Sequence, residues 1–181
     1  MKTLVECWEY THNNIAESDK GTVHTFLPFY DHLFKEKRKK DIVLLEIGVK
    51  RGGSLAMWRE YFSDGSVICG IDQKKPKIEL PNVLIGNAYD LKTVKKVPTR
   101  LDIIIDDGSH ILKDMQFVLK YYLPLLENDG ILIIEDIPKT DFIKTLHKTI
   151  PNEYKQYSYF VDRRHVRPRG DDLILVINKE I

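Results

Sequence analysis

Asp106-Asp107-Gly108-Ser109-His110 and Glu135-Asp136 are the residues best equipped to do chemistry. Each cluster directly follows an apolar, β-type run: residues 101–105, interrupted by Asp102, and residues 131–134. In an open α/β sheet, ligands bind outside the carboxyl ends of the strands. Carboxylates and an imidazole collected there can hold a hard divalent cation and move a proton beside it. That combination points to an enzyme. The plainer alternative makes the acids helix caps after each strand and His110 a local turn residue.

A second site is written into Glu46-Ile47-Gly48-Val49-Lys50-Arg51-Gly52-Gly53-Ser54. Glycines between a first strand and a first helix let the backbone approach a ligand, and the helix N-terminus adds a positive dipole end. The spacing is G-x-x-x-G-G rather than the dinucleotide pattern G-x-G-x-x-G, which disfavours a dehydrogenase. Glu46 would repel a pyrophosphate but suits a cationic or zwitterionic ligand such as S-adenosylmethionine. Asp72, closing the next apolar run, can accept hydrogen bonds from both hydroxyls of a ribose. Asn87, after the third run, can place an amide beside an adenine edge or simply make a turn.

The elements that must position these residues alternate between short apolar runs and amphipathic segments, the pattern of a parallel sheet wrapped by helices. Strands are expected over residues 42–47, 67–71, 83–85, 101–105, 131–134, 157–161 and 173–177. Ser54 is expected to cap a helix carrying Leu55, Trp58 and Tyr61. Met115, Val118, Leu119 and Tyr122 form the core stripe of another, before Asn128-Asp129-Gly130 breaks the chain. Residues 26–37 read as a further helix, ended by the basic run 35–40 in a solvated, dipole-complementing role. The last two strands have only the basic turn 162–170 between them, so an antiparallel edge hairpin follows. The fold class is α/β: a Rossmann-like, doubly wound, mostly parallel seven-stranded sheet with an antiparallel edge hairpin. At 181 residues and 43% hydrophobic content, one domain over residues 1–181 is expected, with 1–40 as a helical lead-in.

Lys+Arg 28 against Asp+Glu 27 gives a net charge of +1, which makes no electrostatic case for nucleic acid or an anionic membrane. Cys7 and Cys69 have no partners at metal-ligand spacing, and Cys69 sits in an apolar run as a buried thiol. The first residues meet Glu6 before an apolar signal core forms, and no stretch approaches the roughly 20 apolar residues of a membrane span. A soluble, reducing, cytoplasmic setting is expected, with a small-molecule or glycan substrate, no membrane partner, and homo-oligomerisation left open.

From Ser18 to Asp136 the chain resembles the class I S-adenosylmethionine-dependent methyltransferases, and more narrowly the metal-dependent macrolide sugar O-methyltransferases of the mycinamicin and tylosin type. The resemblance rests on Ser18-Asp19-Lys20-Gly21-Thr22-Val23-His24, Leu45-Glu46-Ile47-Gly48, Gly52-Gly53-Ser54, Met57-Trp58, Ile71-Asp72, Ile105-Asp106-Asp107-Gly108-Ser109-His110 and Ile134-Glu135-Asp136. It implies S-adenosylmethionine and Mg²⁺ (or Mn²⁺) as cofactors. It implies Asp107, Glu135 and Asp136 as metal ligands and His110 as general base. Glu46, Gly48, Gly52, Ser54, Asp72, Asn87 and Asp106 would line the cofactor pocket, with Lys20 meeting the cofactor carboxylate. The family usually shows an acid where this chain has Asn87, and its known members are larger, with extra N-terminal elements. His24, Arg163 and Arg164 are candidate substrate contacts, and Arg167 and Arg169 extend the same basic turn. His12, His32, His147 and His165 carry no assigned role.

The activity implied is O-methylation of a sugar or glycan hydroxyl. A catechol-like diol or a nucleic-acid ribose would use related chemistry. A non-catalytic nucleotide-binding module, with the acids serving as caps, is the alternative of another class.

Overall fold

The computed structural model describes residues 2–24, 26–166 and 172–180. Its strands are β1 (Val43–Ile47), β2 (Val67–Asp72), β3 (Val83–Ile85), β4 (Leu101–Asp106), β5 (Leu126–Ile134), β6 (Ser158–Asp162) and β7 (Leu173–Asn178). They form one seven-stranded sheet in the order β3-β2-β1-β4-β5-β7-β6. β1, β2 and β3 run parallel, as do β4 and β5, whereas β7 is antiparallel to both β5 and β6. This is the mostly parallel sheet with an edge hairpin that the apolar runs predict. The chain falls into two compact units, Met1–Gly86 and Asn87–Ile181.

The first unit carries helices α1 (Leu4–Asn14), α2 (Leu27–Leu33) and α3 (Gly53–Tyr61). A reciprocal capping box starts α1: the Glu6 amide donates to the Thr3 hydroxyl, and the Glu6 carboxylate accepts from the Thr3 amide. The helix expected over 26–37 stops at Leu33, and Lys37–Lys39 form a separate 3-10 turn. Phe34 at the break is fully buried and stacks on Tyr30 at 5.5 Å, so it joins the core rather than continuing the helix. Lys37 departs from the solvated role expected of the basic run, because its side chain is buried as well. Phe26, Tyr30, Phe34, Trp58 and Phe62 make a continuous aromatic cluster. Each buried Phe there contributes about 1.5–3 kcal/mol relative to exposure.

The second unit carries α4 (Leu91–Val94), α5 (Leu112–Tyr121), α6 (Asp141–Thr149) and α7 (Asn152–Lys155). The residues Ile103, Ile104 and Ile105 of β4, Ile131 to Ile134 of β5, and Ile174 to Ile177 of β7 are fully buried. Asn128-Asp129-Gly130 does not break the chain as expected; it lies within β5. The pairing runs Leu101 to Leu126 and then Ile103 to Ile131, so these residues are accommodated as an irregularity in the ladder rather than as a turn. Beyond it the register places Asp106 opposite Ile134. The acids that follow each strand therefore emerge at the same end of the sheet.

Candidate active site

In the first unit, β1 delivers Glu46 and then a tight turn into α3. Gly48 and Gly52 adopt φ of 91° and 97°, and Lys50 between them adopts 56°. Gly52 is the residue that caps α3, without a side-chain bond, and Ser54 is its second residue rather than the expected cap. The left-handed backbone at Gly52 already supplies the chain reversal that a Ser cap would otherwise start. At Gly53 any side chain would strike the Glu17 carbonyl oxygen, 2.2 Å from an added Cβ. The segment before α2 is thus held directly on this turn.

Asp72 at the end of β2 accepts the Lys50 amide at 2.7 Å through Oδ2 and the Lys74 amide at 2.8 Å through Oδ1. It is half-buried. Each carboxylate oxygen has a second lone pair, so the group remains able to accept a ligand hydroxyl. Glu46 and Lys20 are both buried, with Nζ and Oε1 3.4 Å apart. Their opposite charges offset the carboxylate that the sequence presents as bait for a cationic ligand. His24 is buried too, its ring stacked on Phe26 at 4.8 Å.

In the second unit, Asp107, His110 and Asp136 each bring a ligand atom within 4.8 Å of the others. His110 Nε2 lies 3.9 Å from Asp107 Oδ1. Two of the three, His110 and Asp136, sit at left-handed backbone, φ 57° and 52°. Non-glycine residues rarely adopt this conformation, and it persists where surrounding structure overdetermines it, often at functional sites. Glu135 is buried and its amide donates to the Asp106 carbonyl at 2.9 Å. The three-group cluster draws on His110 rather than Glu135. Asp172 at the start of β7 is also buried and offers an oxygen within 4.8 Å of one from Asp136.

Asp106 is 3% exposed. Burial above all raises its carboxyl to about 7, against hydrogen bonds from Tyr89 and the Gly108 amide that pull it down, with the like charge of Asp107 pushing the same way as burial. The Tyr89 hydroxyl donates to Asp106 Oδ1 and accepts from the Ser109 amide, both at 3.0 Å. Nothing local in the sequence flags Tyr89; only the fold brings it to β4. Asn87 is exposed and makes a turn, accepting the Tyr89 amide at 3.0 Å. Arg164 is engaged by its neighbour Asp162, with Nε donating at 2.8 Å, and the Arg163 amide donates to the Asp172 carbonyl. Arg167 and Arg169 lie outside the described residues.

No protein-family model matches the chain. A rhamnosyl-tetracenomycin-C 3'-O-methyltransferase of Streptomyces olivaceus is 36% identical, over 66% of this chain and 34% of that protein. The MycE methyltransferase of the mycinamycin biosynthetic pathway, in complex with Mg, SAH and mycinamycin VI, is 28% identical with a TM-score of 0.65, covering 75% of this chain and 39% of that one. The chain has the class I methyltransferase fold. A second MycE structure superposes over 98% of this chain and 55% of its own with a TM-score of 0.74, at 21% identity. The chain is similar in sequence to sugar O-methyltransferases, and it spans about a third of the length of the curated relatives it matches.

Proposed function

We propose that the chain is the methyl-transferring domain of an S-adenosylmethionine- and Mg²⁺-dependent O-methyltransferase that acts on a sugar or glycan hydroxyl. The observation that carries this reading is the convergence of Asp107, His110 and Asp136 at the ends of β4 and β5. The carboxylates of this cluster suit a hard divalent cation, with His110 beside it as a proton acceptor, and neither cysteine stands nearby in sequence. His110 Nδ1 is buried with no hydrogen-bond partner among the described residues. Such an atom is costly to leave unsatisfied, and a bound group would relieve it. The homologous sugar O-methyltransferases, and the MycE complex with Mg and SAH, support the same assignment.

In this reading Asp107, Glu135 and Asp136 would hold the cation, which would supply Lewis acidity to an acceptor hydroxyl. His110 would accept the proton of the acceptor hydroxyl, a contribution of about 10²–10⁴-fold for a general base, and the bound cofactor would supply the methyl group. Asp72, already oriented by two amides, would accept from the ribose, and Gly48 and Gly52 would admit the cofactor close to the backbone. Glu46, Lys20, Ser54, Asn87 and Asp106 stay in the cofactor set on the resemblance, and His24, Arg163 and Arg164 stay as acceptor contacts. The two units act as one domain, on a small-molecule acceptor rather than nucleic acid. Cys7 and Cys69, both free thiols, fit a cytoplasmic setting. No described helix is long and apolar enough to cross a membrane.

A methyl-transfer assay with Mg²⁺ and S-adenosylmethionine across nucleotide sugars, glycosides, catechols and RNA, read by mass, tests the proposal. A mass gain of one methyl on a sugar hydroxyl is expected. Methylation confined to catechol or RNA would overturn the acceptor class. Absence of both cofactor binding and transfer would overturn the enzyme.

A further inference from the structure

The Asp107–His110 segment makes an unusual demand, because His110 must be held at φ 57° while its neighbours carry the chain into α5. Two anchors meet that demand. On one side Ser109 Oγ donates to Asp114 Oδ2 of α5 at 2.7 Å and accepts the Ile111 amide at 3.3 Å. On the other, the Ser109 amide donates to the Tyr89 hydroxyl, which in turn donates a hydrogen bond to Asp106 Oδ1. The Gly108 amide also bonds the Asp106 carboxylate. Gly108, Ser109 and Ile111 around His110 are thus tied down, and the Tyr89 hydroxyl links the loop to a segment distant in sequence. The Tyr89 ring meets Phe117 edge-on at 6.3 Å, which fixes the direction of its hydroxyl.

From this geometry we propose that Tyr89 is a positioning residue: its hydroxyl, bridging Asp106 and the Ser109 amide, holds the segment from Asp107 to His110 in the shape that binds the divalent cation. The assignment rests on the metal-dependent reading of the same cluster. Tyr89 touches neither cation nor acceptor and acts through the turn. Without its hydroxyl, the Ser109 amide loses its partner and the Asp106 carboxylate one of its donors, and the left-handed backbone at His110 loses one of its two anchors.

The test compares Tyr89→Phe with Tyr122→Phe in the full chain. Tyr122 makes a phenol bond of similar kind in the same neighbourhood, to the Ala88 carbonyl at 2.7 Å, so its loss reports removal of a nearby phenol bond that does not reach the Ser109 turn. Both variants keep their rings, and thermal melts establish that they fold. Mn²⁺ affinity is titrated without cofactor or acceptor, and amide exchange at Ser109 and His110 is followed by NMR in chelator. Tyr89→Phe should weaken Mn²⁺ binding about tenfold or more, in the range for groups that orient metal ligands, and should lose protection at Ser109. Tyr122→Phe should leave both unchanged. Wild-type Mn²⁺ affinity and wild-type protection in Tyr89→Phe would overturn the proposal, as would equal losses in both variants. Should the parent chain bind no Mn²⁺, the metal-dependent reading itself fails, and Ser109 protection alone then decides whether Tyr89 holds the turn.

Discussion

Lys20 and Glu46 form an ion pair out of solvent, Nζ to Oε1 3.4 Å, at the point where β1 hands over to the glycine turn. Two buried charges offset each other only while both are present. Breaking such a pair by removing one member typically costs about 3–5 kcal/mol, whereas replacing both with apolar groups of similar size is often neutral. Glu46→Leu or Lys20→Met alone should therefore lower stability by that amount in urea unfolding. The double replacement should recover most of it. Additive losses would show that the two side chains are not coupled.

Gly53→Ala should destabilise the chain by about 1–3 kcal/mol or more, because the new methyl meets backbone at Glu17 rather than a side chain that can rotate away. Gly52→Ala meets the flexible side chains of Leu80 and Ile78 but carries the φ penalty instead. Thermal unfolding of Gly53→Ala at wild-type temperature would show that the segment before α2 is free to move aside.

The ends of β2, β4 and β5 are legible because each is an apolar run stopped by an acid, and that of β1 because Glu46 is followed at once by the glycine turn; strand ends in this fold are where ligands meet the chain. The capping box of Thr3 and Glu6 follows the T-x-x-E pattern that starts a helix. Ser54 misled because local propensity favours serine as a cap, while the left-handed Gly52 before it had already taken that position. Asn128-Asp129-Gly130 misled in the same way: turn residues were absorbed into β5 because the flanking apolar residues are held by pairing with β4. Tyr89 and the Lys20–Glu46 pair depend on contacts distant in sequence, and no spacing rule reaches them.

Thr3→Ala removes one half of the capping box on α1 and should cost about 0.5–2 kcal/mol. Glu6→Ala should cost a similar amount, and the pair together less than the sum, since the two bonds are reciprocal. A double-mutant cycle by chemical denaturation reads this directly. Strict additivity would mean the two bonds act independently.

Asp106 sets a pH dependence of stability. Its folded carboxyl, raised by burial to about 7 from 3.8, keeps a proton that the unfolded chain has already released. Where the folded state binds more protons, stability falls as pH rises, so this group's contribution is greatest below its unfolded value and declines up to about pH 7. In chelator, Asp106→Asn should flatten the fall in stability across that window. An unchanged slope would place the titration on another group.

Single-turnover methyl transfer with His110→Ala, alongside Mn²⁺ and S-adenosylmethionine titrations of the same variant, tests the central claim most directly. The proposed mechanism predicts a transfer rate lowered by about 10²-fold or more, with cofactor and metal affinities within a few-fold of wild type, and no transfer by either protein in excess chelator. A near-normal rate in the variant, or full wild-type activity in chelator, would contradict it.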